Sequence, residues 1–222
     1  MASLKHVNFI KVYSKSTDYF GGDQSWWKTE DDSMCDFGCG VIALCNLELY
    51  LDGEAVKGIA YEDYKRYVEK RRGEAYFLNK GKVLGRMGLL PLIMERGLDG
   101  YFKSKGCDNV ISWCPTINKK RLRKLIEKML EANIPVVASY YVFNKKNKLD
   151  LYTYNKKTKE FDKTSGARRH YFNIVGITRR KGRDLLVIST WGRRYYADYK
   201  QWERKISLFS NILYVERGKK DE

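Results

Sequence analysis

The sequence predicts an α+β protein in which helices come first and an antiparallel sheet follows. The segment 38–51 ends in a helix that is apolar on nearly every side, with Asn46 and Glu48 as its polar exceptions. A helix of this kind is buried at the centre of a domain. From residue 134 onwards, apolar runs separated by polar turns indicate antiparallel strands. Helices followed by strands are typical of the α+β class, and 222 residues suit a single domain over 1–222.

The first half contains one predicted strand, at residues 7–13, and several helices. Apolar residues at helical spacing predict helices, besides the buried one, at 61–72, 85–98 and 119–131. Pro91 marks a break or a beginning in the second of these, and Gly97 and Gly100 are predicted to end it. Asn118 is predicted to cap the third, and Asn133 to mark its end.

The second half is predicted to be almost entirely β structure. Its strands are expected at 134–143, 149–154, 160–163, 169–178, 184–191, 195–198 and 211–216. A short helix is expected at 200–206. The strands 149–154 and 160–163 are expected to form a hairpin around residues 155–158. A basic turn that contains Gly182 joins the strands 169–178 and 184–191.

The cysteines and the hydropathy of the chain indicate the compartment in which the protein is expected. The five cysteines are odd in number and irregularly spaced, which argues against a disulfide framework and favours a reducing compartment. The first six residues lack the apolar core of a signal peptide, and no segment approaches the roughly 18 apolar residues that span a bilayer. We therefore expect a cytoplasmic protein without a membrane span.

The net charge of +16 is the strongest compositional bias. Basic residues cluster in five places, at 145–146, 156–157, 168–169, 179–181 and 193–194. Such charge favours contact with nucleic acid, anionic surfaces or acidic substrates. The clusters fall where turns are predicted and not along one helix face, so we favour solvated loops as their explanation and regard nucleic acid as the less favoured partner.

Cys39 begins the buried helix and lies between Gly38 and Gly40. Two glycines leave room for a substrate backbone, and a helix N-terminus lowers the pKa of a thiol there. A buried cysteine in a glycine-rich turn is the competing interpretation. Of the neighbouring thiols, Cys35 lies in an acidic stretch that raises a thiol pKa, and Cys45 lies on a buried helical face where thiols are inert.

His170 begins a predicted strand about 130 residues after Cys39, within the roughly 130–150 expected in one cysteine-peptidase arrangement. An imidazole beside a thiol removes its proton, and the thiolate then attacks a carbonyl carbon. The other histidine, His6, lies in a polar terminal tail where we expect it to be solvated. A metal site built from Cys35, Cys39 and His170 is disfavoured because Cys-x3-Cys without a second pair is a poor zinc signature. We expect no metal and no cofactor.

Three short motifs resemble those of the papain-like cysteine peptidases. They are Gly38-Cys39-Gly40-Val41 at a helix start, His170-Tyr171 in a strand that ends at Gly176, and Ser189-Thr190-Trp191-Gly192. The Cys-Gly-x-x-Ala-Leu form of the first motif is more similar to the bacterial branch that includes the double-glycine leader peptidases. The resemblance covers most of residues 20–200. It implies a papain-like fold, with N-terminal helices and a central buried helix packed on a C-terminal antiparallel sheet, and hydrolysis of peptide or amide bonds.

The resemblance also implies a role for each matching residue. Cys39 is the expected nucleophile, and His170 the general base that later protonates the leaving amine. Gln24 matches the family glutamine that forms the oxyanion hole together with the Cys39 backbone N–H. Trp191 is a candidate to shield the hydrogen bond of the histidine from water, and a core aromatic of the sheet is the competing interpretation.

The third member of the triad departs from the family pattern. The family has Asn or Asp at the position of Ser189, and a hydroxyl supplies no charge to stabilise an imidazolium. We favour Ser189 as the residue that orients His170. The alternatives are Asp198, Asp184 or a catalytic dyad.

Two other functions compete with a peptidase that takes a peptide or protein substrate. One keeps the same thiol site and makes the chain an amidase, deamidase or acyltransferase. The other is a basic binding module for nucleic acid or another anionic partner on a degenerate peptidase scaffold, which both the charge and the missing Asn or Asp favour. The sequence does not determine the oligomeric state or the substrate.

Overall fold

The computed structural model describes residues 1–6, 8–75, 89–107, 109–115, 119–206 and 210–216. The described helices are α1 (Asp32–Phe37), α2 (Cys39–Leu51), α3 (Glu54–Lys57), α4 (Tyr61–Ala75), α5 (Pro91–Ser104), α6 (Lys119–Glu131) and α7 (Tyr199–Lys205). The described strands are β1 (Lys11–Tyr13), β2 (Asp18–Phe20), β3 (Ile59–Ala60), β4 (Val110–Pro115), β5 (Val136–Tyr141), β6 (Leu149–Asn155), β7 (Glu160–Ala167), β8 (Arg169–Arg180), β9 (Arg183–Thr190), β10 (Arg193–Asp198) and β11 (Asn211–Glu216).

The strands of the described residues form two sheets. The larger has eight strands in the order β4-β11-β5-β8-β9-β10-β6-β7, and every neighbouring pair is antiparallel. The smaller has the order β2-β1-β3, with β1 and β3 parallel. Helices in the first half and a large antiparallel sheet in the second confirm the predicted α+β class.

The helix α2 lies at the centre, as its sequence predicts. Every residue from Gly40 to Tyr50 is buried. The helix packs against β8 on one side and against α4 and α5 on another. Because apolar residues surround its axis, each of these neighbours buries a different apolar surface of the same helix. The packing of α2 on β8 brings the start of the helix close to the start of the strand.

Glu48 is the one charged residue of α2, and its side chain has no exposed surface. Arg71 of α4 forms two hydrogen bonds to the Glu48 carboxylate, Nε to Oε2 at 2.8 Å and Nη2 to Oε1 at 2.7 Å. The Tyr67 hydroxyl donates a third, at 2.9 Å. A buried charge of this kind is tolerated because it is paired and hydrogen-bonded. The pair joins α2 to α4.

Several predicted elements agree closely with the structure. Helix α6 and strand β11 have the predicted bounds, and Asn133 adopts a positive φ of 60° just after α6. The strands β8 and β9 differ from the predicted strands by one or two residues at their ends. Asn118, the predicted cap of α6, and part of the predicted helix at 85–98 lie outside the described residues.

Other predicted bounds are wrong. Helix α5 continues through Gly97 and Gly100 to Ser104, because Tyr101 and Phe102 are buried and hold its last turns in place. Tertiary packing outweighs the roughly 1 kcal/mol that each glycine costs a helix. The first strand spans only Lys11–Tyr13, since Phe9 is a buried residue with φ of 50° and interrupts the extended backbone.

Five described elements were not predicted from the sequence: α1, α3, β2, β3 and β4. Asp31 caps α1 by accepting from the Met34 backbone N–H at 3.0 Å, and an Arg72 ion pair holds the same carboxylate. Strand β4 pairs with β11 along its whole length at the edge of the sheet. The alternation of apolar and polar residues in β4 is too short to identify a strand from the sequence without its partner β11. Within the described ranges, no helix has the length and apolar character needed to cross a bilayer.

Candidate active site

Gly38 lets the chain pass directly from α1 into α2. It is the C-cap of the first helix and the N-cap of the second, and a Cβ at this position would lie 2.3 Å from the Met34 carbonyl oxygen. Gly40 packs as closely, because a Cβ there would lie 3.0 Å from Cβ of Leu89 and 3.3 Å from Cδ2 of Tyr171. The two glycines therefore place Cys39 in the first turn of α2, directly against β8.

The Cys39 sulfur lies near the backbone N–H of Tyr171, the residue that follows His170 in β8. Burial raises the pKa of the Cys39 thiol, and hydrogen bonds from the backbone N–H groups of Tyr171, Gly40 and Cys39 itself act in the opposite direction. The sequence predicted a lowered pKa from the helix N-terminus, and this prediction is wrong for the structure. The N–H groups are present as expected, but the loss of water around the sulfur outweighs them.

His170 is buried at the start of β8, where two residues fix its ring. Its Nε2 lies 2.6 Å from Oγ1 of Thr190. The Trp191 ring stacks on the imidazole with centroids 4.5 Å apart and an interplanar angle of 26°. Burial lowers the pKa of His170 to about 3, so the imidazole is neutral near pH 7. A neutral imidazole is the form that accepts a proton.

One small cavity of ≈ 10 Å³ brings the predicted site residues together. Gln24, Cys39, His170 and Ser189 all line it, and so do Thr190, Trp191, Asn46 and Asn173. The volume corresponds to about one water molecule. Among the hydrogen bonds of the described residues, none joins the Cys39 sulfur to the His170 ring. The thiol and the imidazole thus share a cavity as two neutral groups.

Gln24 begins a 3₁₀ helix (Gln24–Trp27) that Asp23 caps by accepting from the Ser25 backbone N–H at 2.9 Å. Its Nε2 donates to the Cys35 carbonyl oxygen at 2.5 Å. An amide nitrogen has two N–H groups, so this bond orients the side chain and leaves a second donor at the cavity. The long segment between Gln24 and Cys39 contains α1, which turns the chain back toward the start of α2.

Ser189 does not contact His170, contrary to the prediction. Its hydroxyl donates to the Phe20 carbonyl oxygen at 2.8 Å, and the residue pairs with Asn173 in the β8–β9 register. Ser189 is paired with Asn173, whose amide donates to the Ala43 carbonyl oxygen of α2, whereas Oγ1 of the next residue, Thr190, contacts His170. The structure therefore places the hydroxyl of Thr190 where the sequence placed that of Ser189.

The two aspartates considered as alternatives to Ser189 have other partners. Asp198 caps α7 by accepting from the Gln201 backbone N–H at 2.7 Å. Asp184 accepts from Arg123 at 2.8 Å, and this hydrogen bond holds the pKa of the carboxyl below its usual range. Neither residue lines the cavity of Cys39 and His170.

Two buried asparagines at the cavity were not identified as site residues from the sequence. Asn46 of α2 donates to Asn173 of β8, Nδ2 to Oδ1 at 3.1 Å, and Asn173 donates in turn to the Ala43 carbonyl oxygen at 2.8 Å. The Asn46 carbonyl oxygen accepts from the Gly22 N–H at 3.1 Å and from the Tyr64 hydroxyl at 2.8 Å. An asparagine within an otherwise apolar helix was the available signal, because a buried amide requires partners.

The remaining thiols and the second histidine lie outside this arrangement. Burial and the neighbouring Asp36 and Asp32 raise the pKa of Cys35, and burial raises that of Cys45 well above its usual range. His6 is partly buried, and its ring packs edge-on against the Tyr50 ring with centroids 6.0 Å apart. It is therefore not the fully solvated residue that the sequence predicted. The described residues contain no cluster of three His, Cys, Asp or Glu that could hold a metal ion.

Comparisons with known proteins assign no family to the chain. No model of a known protein family matches it, and a search of curated protein sequences found no significant match. The class defined by the fold is an α+β protein with a large antiparallel sheet.

Proposed function

We propose that the chain is a thiol-dependent hydrolase of peptide or other amide bonds, with Cys39 as nucleophile and His170 as general base in a papain-like arrangement. The observation that carries the proposal is the cavity that Cys39 and His170 line together, with Gln24 on the same wall. A thiol at a helix start and the imidazole of a histidine on a facing strand are the two groups that nucleophilic thiol catalysis requires, and the shared cavity supports their pairing.

The protonation states define the first step. The thiol and the imidazole are both neutral at rest, so the proton passes from sulfur to imidazole as the sulfur attacks the substrate carbonyl carbon. In the tautomer that is protonated at Nε2, His170 donates to Oγ1 of Thr190 and leaves Nδ1 free to accept this proton. Thr190 acts on the ring as the family Asn or Asp does, but it supplies no charge to the imidazolium.

The carbonyl oxygen gains negative charge during the attack and requires donors. The Cys39 backbone N–H and the second N–H of the Gln24 amide are the candidates, since Gln24 lines the cavity and its other N–H is held by Cys35. Preorganised donors of this kind typically contribute about 2.7–4 kcal/mol each to the transition state. The imidazolium then returns its proton to the leaving amine, and water hydrolyses the thioester.

The small volume of the cavity limits how a substrate reaches the sulfur. A volume of ≈ 10 Å³ does not admit a peptide group, whereas Cys39 itself is partly exposed. A substrate carbonyl therefore approaches from the exposed side of Cys39. An amine in place of water would complete acyl transfer on the same thioester, so transferase and amidase activities belong to the same proposal.

The test is incubation of the full chain with a proteome-derived peptide mixture, with new amino termini counted by mass spectrometry. Cys39→Ala and His170→Ala are expected to abolish cleavage. The matched control is Cys107→Ala, which removes an exposed thiol outside the cavity and is expected to cleave as the unaltered chain does. Equal cleavage by Cys39→Ala, or no cleavage by the unaltered chain, would refute the proposal.

A further inference from the structure

One face of the large sheet carries a cluster of aromatic rings away from the thiol cavity. Tyr154 and Phe161 are paired across β6 and β7 with ring centroids 5.2 Å apart, and Phe161 contacts Tyr196 of β10 at 4.9 Å. Tyr196 is in turn paired with Tyr152. Cross-strand partners share a face of a sheet, so these rings lie side by side on one surface. Tyr154 is 38% exposed.

The opposite face of the same strands belongs to the core. Ala197 of β10, and Leu186 and Ile188 of the adjacent strand β9, have no exposed surface. Side chains alternate along a strand, so the aromatic residues lie on the side away from that core. Two adjoining cavities, of ≈ 390 and ≈ 420 Å³, flank the rings, and Tyr154, Phe161, Tyr196 and Arg180 line both of them. We call the surface formed by Tyr154, Phe161, Tyr196, Arg180 and Arg183 the aromatic–basic face.

Two arginines of this face lie opposite each other in the sheet. Arg180 and Arg183 are paired in the β8–β9 register, and both are exposed. Within the described part of the chain neither forms an ion pair. Like charges directly opposite each other destabilise a sheet, so the pair favours an anion between them. The sequence assigned the cluster at 179–181 to a loop, whereas Arg180 belongs to β8 and lines both cavities.

From this arrangement we propose that the aromatic–basic face binds a single-stranded nucleic acid, with bases stacked on the aromatic rings and phosphates held by Arg180 and Arg183. Aromatic platforms beside basic side chains are the recurring means of binding unpaired strands, because every base has a π-face and every nucleotide has a phosphate. The net charge of +16 favours the same polyanion at longer range. The proposal is independent of the thiol chemistry.

The test measures fluorescence anisotropy of labelled oligo(U) and oligo(dT) strands of about 12 nucleotides with the full chain at low salt. Phe161→Leu and Tyr154→Leu keep apolar bulk and remove the ring, and each is expected to weaken binding about fivefold or more. Arg180→Ala with Arg183→Ala is expected to weaken binding as well. It is also expected to reduce the slope of log affinity against log salt by about 0.7 for each lost phosphate contact.

The matched control removes two other positive charges, by Lys145→Ala with Lys146→Ala, at an exposed turn that lines neither cavity. We expect this control to retain most of the affinity, and Cys39→Ala to bind fully. Thermal melts of the two leucine variants establish that they fold, and the exposed arginine pair provides a second measure independent of the rings.

The proposal would be overturned by no binding of the unaltered chain at low salt, by equal loss in the lysine control and the arginine variant, or by undiminished binding by both leucine variants. Heparin, a polyanion without bases, and a duplex of the same length serve as competitors. Either one displacing the single strand with equal affinity would identify a general anion-binding surface and would also overturn the proposal.

Discussion

Asn46 and Asn173 are hydrogen-bonded to each other inside the protein, Nδ2 to Oδ1 at 3.1 Å, and so join the buried helix α2 to the strand β8, which contains His170. The bond from Asn173 to the Ala43 carbonyl oxygen adds a second link between the same two elements. Cys39 begins the helix and His170 lies near the start of the strand, so this pair of amides helps to fix the two elements that carry the thiol and the imidazole.

Asn173→Leu is expected to destabilise the fold by about 1–3 kcal/mol, because it leaves the Asn46 amide and the Ala43 carbonyl without their partner. Urea denaturation measures the loss. Asn144→Ala is the control, since it removes only an exposed bond to the Lys146 backbone N–H and is expected to change stability by less than about 0.5 kcal/mol. Equal effects of the two changes would contradict the role given to the buried amides.

Arg71→Met is expected to destabilise the protein by about 3–5 kcal/mol, because it leaves the Glu48 carboxylate buried without its cation. Adding Glu48→Gln to that variant is expected to restore much of the loss, since the remaining group is then uncharged. The control is Arg66→Met, which breaks the exposed pair with Asp63 and is expected to cost no more than about 0.5 kcal/mol. Denaturant midpoints compare all three variants.

Stability is expected to fall between pH 7.5 and pH 5 because of His170. Its pKa is about 3 in the folded state and 6.5 for the exposed group, so below pH 6.5 the unfolded chain binds a proton that the folded chain does not. Linkage gives a loss of about 2 kcal/mol over this range. His170→Gln should remove this dependence and His6→Gln should preserve it. A pH-independent denaturation midpoint in the unaltered chain would contradict a buried, neutral His170.

Alkylation by iodoacetamide is expected to be slower at Cys39 than at the exposed Cys107 near pH 7, because burial raises the pKa of the Cys39 thiol. The Cys39 rate should increase with pH through the alkaline range, and Cys45, which is fully buried, should react only on unfolding. Mass spectrometry of peptides resolves the sites. Fastest labelling at Cys39 at pH 7 would mean that the thiol is already ionised at rest.

Thr190→Val is expected to reduce peptide cleavage by about tenfold or more, because it removes the hydroxyl that contacts Nε2 of His170 and keeps the side-chain volume. Thr190→Ser restores the hydroxyl and should recover activity. Ser189→Ala is the control, since its hydroxyl bonds the Phe20 carbonyl and not the imidazole. If Ser189→Ala lost activity while Thr190→Val retained it, the sequence assignment would be correct and the structural one wrong.

Local sequence patterns were sufficient to predict those helices and strands whose formation does not depend on a partner far away in the chain. The apolar circumference of α2 predicts its burial, and the spacing in α6 predicts its bounds, because each pattern repeats over several turns of one helix. The short strand β4 lacks such a repeat and is defined by its pairing with β11. Helix α5 also depends on tertiary contacts, because the packing of Tyr101 and Phe102 extends it past two glycines. This packing is not visible in the local sequence.

The sequence by itself determined the α+β class, the buried helix with Cys39 at its start, and His170 as the histidine to consider with it. Tertiary structure alone decided that Thr190 and not Ser189 contacts the imidazole, because the face that a strand residue occupies depends on its pairing register. Tertiary structure also reversed the expected direction of the Cys39 pKa, since the loss of water around a sulfur depends on every element packed about it. Both outcomes arise from contacts between segments far apart in the chain.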